Sequence, residues 1–497
     1  MSRLSRRDFL KGAAAITAAC AIAPRIKAIG ANSDIRVAVV GVRGMGKSHV
    51  RNYLKMPGVR LVALCDADLA ILNAEVRQLD KSGVKVAAYQ NIRKLFESKE
   101  VDAISIVTPD HWHALATVWG CQAGKDIDVE KPVSHNIWEG LRMVEAARKY
   151  HRIVQADLDA RSRTTYDEAF EYLQSGALGR IVLGRGFCYK LRPSIGLAQG
   201  TGVIPKSVDY DLWCGPASNG PLKRINLHYD WHWVWDTGGG ELAGNGVHQL
   251  DAIRWMFKES GLPRRVMSLG GRLGYQDDGQ TPNIQITFFD YPTAPIIYET
   301  RALPSSPGAK LMDVYDALAA TGVRIKSKHT PSVAHSDVII QCEHGYVELG
   351  VKAAFDNAGR KVKQFTGKGD LDPQANFIKA VRSRKLSDIK TDILEGHVST
   401  CLCHMGNISY RLGQKAKAGE IRERLGGDKD GLDALGRFTE HLRVHGVDLE
   451  RTPVTLGPWL SMDSSIERFT GPHADQANAD LLMKRAFRKP YVVPEQV

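Results

Sequence analysis

The sequence predicts an α/β protein with two parts. An N-terminal doubly wound parallel sheet is followed by an α+β domain with an open, largely antiparallel sheet. Three observations predict this. The β-branched run Ile35 to Val40 leads into a glycine-rich turn and then a helix-compatible stretch. Apolar strands and helical stretches alternate from there to Ala156. Beyond that point the alternation stops and strand follows strand.

Ile35-Arg36-Val37-Ala38-Val39-Val40 has the apolar continuity of a strand buried on both faces of a parallel sheet. The turn Gly41-Val42-Arg43-Gly44-Met45-Gly46 follows, then a helix over Lys47 to Lys55. Backbone N–H groups and a helix N-terminus in this order form a cradle for a pyrophosphate. Gly41 and Gly46 match the G-x-G-x-x-G spacing. Arg43 occupies the second glycine position and becomes a candidate phosphate contact, while Gly44, next to Met45, is shifted by one. Leu61 to Cys65 is the second strand and ends at Asp66, 25 residues after Gly41. A carboxylate there accepts hydrogen bonds from both ribose hydroxyls and repels a 2′-phosphate, which selects NAD over NADP. The competing reading makes Asp66 a cap for the helix that starts near Asp68. Strands over Val84–Ala88, Ala103–Val107, Ile127–Val129 and Ile153–Ala156 alternate with helices over Asn91–Glu97, Trp112–Ala123 and Asn136–Tyr150. Residues 34–156 therefore read as a dinucleotide-binding Rossmann domain.

Residues 157–416 read as a second, α+β domain. Its expected strands are Ile181–Tyr189, Arg265–Leu269, Ile284–Phe289, Ile296–Glu299 and Tyr346–Leu349, with a late helix over Glu395–Arg411. Residues 417–497 form an extension whose Trp459, Phe469 and Tyr491 indicate packing.

The 497 residues, 43% hydrophobic and 25% charged, suit a soluble multidomain chain with large cores. After the N-terminus no apolar run is long enough to span a bilayer. Residues 1–31 resemble a twin-arginine export signal: Ser5-Arg6-Arg7-Asp8-Phe9-Leu10-Lys11, an apolar stretch Gly12–Ala23, and a cleavage region between Ala28 and Ala31. A basic amphipathic helix is the alternative. Export by this route moves folded proteins, so the expected location is the periplasm or beyond. Thr17-Ala18-Ala19-Cys20 is a poor lipobox. The segment carries five of the twelve net positive charges, leaving +7 spread over the remainder. With no basic run interleaved with aromatics, nucleic acid is not an expected partner. Cys65, Cys121, Cys188, Cys214, Cys342, Cys401 and Cys403 are scattered, and buried thiols are expected rather than a disulfide framework.

Sites in open α/β sheets lie beyond the carboxyl ends of the strands. Two segments stand there. Thr108-Pro109-Asp110-His111-Trp112-His113 follows the fourth strand, and Glu130-Lys131-Pro132 follows the fifth. Lys131, on a Pro-fixed turn, is placed to hold a substrate hydroxyl near the nicotinamide. Partly desolvated beside a positive ring, a lysine has a lowered pKa and relays a proton. A plain surface charge is the alternative. H-x-H in a loop lacks further ligands, so His111 and His113 read as cofactor contacts or helix-start packing, and no metal site is assigned.

In the second domain, His228-Tyr229-Asp230-Trp231-His232-Trp233-Val234-Trp235-Asp236 is dense in flat rings and polar groups, the side chains that stack on sugar rings and bind hydroxyls. A structural apolar loop is the alternative. His248 falls near the start of a helix over Gly246–Trp255 and faces the expected cofactor cleft, unless it is a core histidine. Candidate substrate contacts are Arg161, Tyr189, Trp213, His228, Trp231, His232, Asp236 and His248.

Together the glycine turn, Asp66, the Thr108-Pro109…His113 segment and Glu130-Lys131-Pro132 resemble the dinucleotide domain of the Gfo/Idh/MocA oxidoreductases, which act mainly on sugars and cyclitols. Asp209-Tyr210-Asp211-Leu212-Trp213-Cys214-Gly215-Pro216 and Asn376-Phe377…Val381-Arg382 are similar to the exported, twin-arginine branch. The resemblance implies a substrate and oligomerisation domain, a homo-oligomer, and a D-x-x-x-H pair whose histidine takes the hydroxyl proton. His248 matches that histidine, but Gly244 stands where the aspartate belongs. Another partner is then needed, with Glu241, Asp251 and Lys131 as candidates.

The expected function is an exported NAD(H)-dependent oxidoreductase acting on a secondary hydroxyl of a sugar or glycoside, with tightly bound cofactor. The first alternative is a redox-dependent glycosidase using transient C3 oxidation, elimination, water addition and re-reduction. The second is a non-catalytic sugar sensor.

Overall fold

Largely apolar runs become the central strands of the first domain, although Ser105, Asp128 and Gln155 are buried among them. The computed structural model describes residues 34–497 apart from 321 and 479, and the expected export signal lies outside the described residues. β1 (Ile35–Val40), β2 (Val59–Cys65), β3 (Ala87–Tyr89), β4 (Ala103–Ile106), β5 (Asp126–Glu130) and β6 (Val154–Asp157) form a parallel sheet in the order 3-2-1-4-5-6. The helices α1 (Met45–Lys55), α2 (Leu69–Lys81), α3 (Ile92–Phe96), α4 (Asp110–Gln122) and α5 (Ile137–Lys149) connect them. Strand order reverses between β1 and β4, which opens a crevice at their carboxyl ends. β3 starts later than expected because the Val84 amide closes the end of α2, donating to Leu79 O at 3.0 Å. Asp68, not Asp66, caps α2 by accepting from the Ala70 N–H at 2.9 Å.

The second domain contains α6 (Thr164–Gln174), β7 (Ile181–Lys190), α7 (Tyr210–Cys214), α8 (Val247–Met256), β8 (Arg265–Gly271), β9 (Ile284–Asp290) and β10 (Pro295–Arg301). A small ribbon, β11 (Asp316–Leu318) with β12 (Arg324–Lys326), precedes β13 (Ala334–Cys342), β14 (Gly345–Glu348), β15 (Ala353–Asp356) and β16 (Lys361–Gln364). Ten of the chain's strands run 16-15-14-13-7-10-9-8-18-17 in a twelve-stranded sheet, with β18 (Val454–Leu456) and β17 (Gln414–Ala416) supplied late in the chain. The pairing is antiparallel except between β7 and β10. β13, absent from the expected strands, is central and pairs with β7 over its full length.

Two late segments reach beyond the boundaries expected for them. Phe377, Ile378 and Val381 of α9 (Pro373–Ser383) pack with Ile35, Val37 and Tyr53, so this helix joins the core of the first domain. α10 (Ile393–Arg411) is buried along most of its length against α5, α8 and β8. After it, α11 (Ala418–Leu425) and α12 (Lys429–Val444) cover the outer face of the second sheet. Leu435, Phe438 and Leu442 meet Met267, Leu269, Ile286 and Phe288 there. Burying about 25 cal/mol per Å² of apolar surface makes this segment part of the fold. Charge pairing reinforces it: the fully buried Arg185 guanidinium on β7 reaches Asp430, and Arg437 binds Glu299. β19 (Leu460–Asp463) and β20 (Arg468–Thr470) complete the sheet.

Candidate active site

The ends of β1, β2, β4 and β5 meet the second domain around a cavity of about 560 Å³. Its floor is the glycine turn. Gly41 has φ +82°, and a Cβ there would stand 2.4 Å from Val107 O. At Gly46 a Cβ would stand 1.8 Å from Gly41 O, so only glycine lets α1 start this close to the turn. Gly41, Arg43, Gly44 and Met45 line the cavity, whereas Gly46 lies beneath the turn. The partly buried Asp66 also lines it and accepts from the Val42 N–H and the Asp68 N–H, both at 3.0 Å. Burial raises its pKa against those two backbone donors. Thr108 and Pro109 form the wall after β4, and Thr108 Oγ1 is buried with no partner among the described residues. A glycine-only floor, a carboxylate at the end of β2 and an unpaired hydroxyl at the end of β4 fit a dinucleotide.

At the other end stand Glu130, Lys131 and Pro132. The Lys131 ammonium donates to Gly244 O at 2.7 Å. Thus Gly244, where no side chain intervenes, bridges the lysine to the second domain. Behind Glu130 lies a buried charge cluster. His49 of α1 donates from Nε2 to Glu130 Oε1 at 3.2 Å, stands 3.3 Å from Asp157 Oδ2, and contacts Ser105 Oγ at 2.8 Å through Nδ1. Burial opposes the charge on Glu130, but the His49 hydrogen bond and the Lys131 charge hold it down at about 2. Against burial, the Glu130, Asp128 and Asp157 carboxylates drive His49 up to about 9. Glu130 is therefore an anion beside Lys131.

His111 and His113 behave as clamps. The His113 ring sits between Pro132 O at 2.7 Å and Thr108 O at 2.8 Å, tying the β4 turn to the β5 turn. His111 does not line the cavity. Its ring lies between Trp213 O at 3.0 Å and Thr237 O at 3.4 Å, and burial lowers its pKa to about 3. Asp110, the first residue of α4, lines the cavity and was not among the expected site residues; burial pushes it up to about 7 against the pull of Lys131. Its position within the Thr108–His113 turn was the available signal.

The roof comes from the second domain. Leu69 N donates to Ser207 O at 2.9 Å, and Asp209 N donates to Ala67 O at 3.0 Å, so the chain before α7 is stitched across the end of β2. His228 Nε2 lies 3.1 Å from Asp68 Oδ2, which puts it at the ribose end rather than the sugar end. Trp213, Trp231 and His232 line the cavity, with Trp231 and His232 stacked at 3.6 Å between ring centroids.

Four expected residues stand elsewhere. Tyr189 is on the far, buried face of β7, where its hydroxyl donates to Glu299 and Arg301 covers its ring. Arg161 is spent on Asp251, at 2.9 Å, and on Glu395. Asp236 faces the Arg485 guanidinium, at 2.7 Å, and the Ser218 N–H. These three are corrections: each polar head is taken by a structural ion pair or hydrogen bond outside the cavity. His248 is in the first turn of α8, behind the Lys131–Gly244 contact, with Nδ1 at 3.2 Å from Asp159 Oδ1.

Residues 35–158 match the model of an oxidoreductase family with an NAD-binding Rossmann fold, and residues 179–288 match the C-terminal α/β domain of the same family. The chain belongs to the Gfo/Idh/MocA oxidoreductase family. Its first domain carries that family's NAD-binding Rossmann fold, and residues 3–23 match a twin-arginine translocation signal sequence, which marks the chain for export. A glycosyl hydrolase family 109 protein from Shewanella baltica is 31% identical over 174 residues, 30% of this chain and 38% of that relative. An α-N-acetylgalactosaminidase from Shewanella oneidensis is 29% identical over the same shares. The chain thus spans well under half the length of these curated relatives. Among solved structures, the WlbA dehydrogenase from Chromobacterium violaceum, in complex with NADH and UDP-GlcNAcA, superposes with a TM-score of 0.55 at 17% identity, covering 79% of this chain and 97% of that one. A levoglucosan dehydrogenase in complex with NADH gives 0.54 at 17%, covering 75% and 96%. These neighbours share the two-part fold. Among the described residues no helix is long and apolar enough to cross a membrane.

Proposed function

We propose that this exported Gfo/Idh/MocA enzyme uses a retained NAD to oxidise a secondary hydroxyl of a sugar or glycoside. One observation carries the reading: a single cavity runs from the Asp66 ribose end to the Lys131 ammonium, under a roof of stacked rings. Gly41, Gly44 and the α1 N-terminus would hold the pyrophosphate, Asp66 the ribose, and Thr108 and Pro109 the nicotinamide end. When bound, NAD supplies the acceptor for a hydride. Lys131 holds the substrate hydroxyl and relays its proton, handing one of its own protons to His248 as it takes the hydroxyl's, with Glu130 keeping compensating charge beside it. His248 passes that proton outward. Trp231 and His232 cover the sugar, their stacked rings presenting flat faces that offer water few partners.

A second reading is a redox-dependent glycosidase. The family 109 relatives favour it, and so does the roof stitched over β2, because a retained cofactor must be restored within each turnover. A ketone at C3 acidifies the C2 proton. Its removal expels the aglycone from C1, water adds, and the returned hydride restores the alcohol, so no net oxidant is consumed.

The purified mature protein is expected to carry NAD(H) at near one equivalent. Denaturation followed by mass spectrometry of the supernatant checks this. Predominant NADP, or no dinucleotide after reconstitution, contradicts the assignment of Asp66.

A further inference from the structure

We propose that Asp159 is the residue that orients His248, in the place of the side chain missing at Gly244. This deepens the proposed function and rests on its assignment of proton transfer to His248. Asp159 follows β6, in the crossing from the first domain to the second, and its carboxylate meets a histidine on the first turn of α8. The Nδ1–Oδ1 distance is 3.2 Å, an ion-pair contact off hydrogen-bond alignment, and the buried Nδ1 has no hydrogen-bond partner among the described residues. The other carboxylate oxygen, Oδ2, is held by Arg163, one turn along the chain.

The remaining carboxylates near α8 are occupied. Glu241 accepts from the Arg192 guanidinium at 2.8 Å and from the Asn245 amide at 2.6 Å. Asp251 accepts from Arg161 at 2.9 Å and from the Ser399 hydroxyl at 2.7 Å. Lys131 donates to Gly244 O and offers no acceptor for a ring N–H, so it cannot orient His248 through Nδ1. Burial works against a charged Asp159, yet His248 and Arg163 outweigh it and hold the carboxyl below the usual range. Asp157, Tyr166 and Glu130 are the other titratable groups acting on this pair.

A carboxylate at Nδ1 fixes the neutral ring with its proton on Nδ1, so Nε2 carries the lone pair that accepts a proton. The orientation also sets what an amide does there. In Asp159→Asn, Arg163 needs an acceptor, so the amide oxygen turns to Arg163 and its NH₂ turns to His248. An NH₂ donates to Nδ1 and forces the ring proton to Nε2, the tautomer that cannot act as a base.

The test uses full-length holoenzyme labelled with ¹⁵N-histidine, His248 being assigned by the signal that disappears in His248→Gln. Native protein is expected to show a protonated Nδ1 and Asp159→Asn a protonated Nε2, while Asp159→Glu keeps the native tautomer. Bound NAD content confirms that each variant folds. An unchanged tautomer in Asp159→Asn overturns the proposal, as does a native ring protonated on Nε2. In turnover of aryl N-acetyl-α-galactosaminides, Asp159→Asn is expected to lose at least about tenfold in kcat with KM little changed, and nothing further in a His248→Ala background. A full additional loss in that background overturns the orienting role. If His248→Ala alone turns over normally, the proposed proton role of His248 fails, and the tautomer measurement still decides the pair.

Discussion

Replacing Lys131 with alanine is expected to lower turnover by about 10²–10⁴, the usual cost of losing a positioned proton-transfer group. The fold should survive, because the substitution removes a hydrogen bond to Gly244 O at the cavity wall and leaves the cores untouched. NAD content should also survive, because the glycine turn and Asp66 stand at the other end of the cavity. Steady-state kinetics beside mass spectrometry of the bound nucleotide checks both. Near-native turnover in Lys131→Ala makes the lysine a bystander. Loss of NAD together with activity makes it a cofactor anchor instead.

Replacing Gly46 with alanine is expected to abolish NAD binding. A Cβ at 1.8 Å from Gly41 O cannot be accommodated by a side-chain shift, since the atom it meets is backbone. Either the turn moves or α1 moves, and each takes backbone N–H groups away from the pyrophosphate. The expected result is apoprotein after purification and no recovery on adding NAD, with a lower thermal midpoint. Gly44→Ala is the matched control: a Cβ there meets nothing within 4 Å, although φ +48° still strains it. Retained NAD in Gly46→Ala contradicts the role given to the turn.

The first domain was legible because its physics is local. Buried parallel strands must be continuous apolar runs, and Ile35–Val40 and Ala103–Val107 are such runs. The glycine turn signals itself by the backbone conformation it requires. β13 was not legible for the opposite reason. It opens with Ala334-His335-Ser336-Asp337, residues that read as loop, yet Asp337 is buried and satisfied by His329 and by the Gly350 N–H. Those partners lie 8 and 13 residues away, outside any local pattern. α9 shows the same limit: its amphipathic pattern indicates a helix but does not say that Phe377 packs beside Ile35.

Within the site, residues on strand-end turns were readable, and those of the second domain were readable only as a composition. The aromatic segment placed Trp231 and His232 at the cavity, but it could not show that His228 turns to Asp68 or Asp236 to Arg485. Tyr189 is taken up by Glu299, and Arg161 by Asp251 and Glu395, partners that come from distant strands and helices. Gly244 was visible as a missing aspartate. Asp159 was not, because the pair crosses between the two domains.

The central claim is that a sugar carbon is oxidised in this cavity, and deuterium labelling tests it most directly. Holoenzyme is incubated with an aryl glycoside panel, beginning with N-acetyl-α-galactosaminides, in deuterated water, while bound-nicotinamide absorbance is followed and the sugars are recovered for mass spectrometry. The account predicts that reduction of the bound NAD accompanies a keto-sugar and that C2 of the recovered sugar acquires deuterium. Aglycone release with C2 labelling and no net NADH selects the glycosidase reading of the same oxidation. Aglycone release with C2 unlabelled, at a rate indifferent to the redox state of the cofactor, would contradict the account.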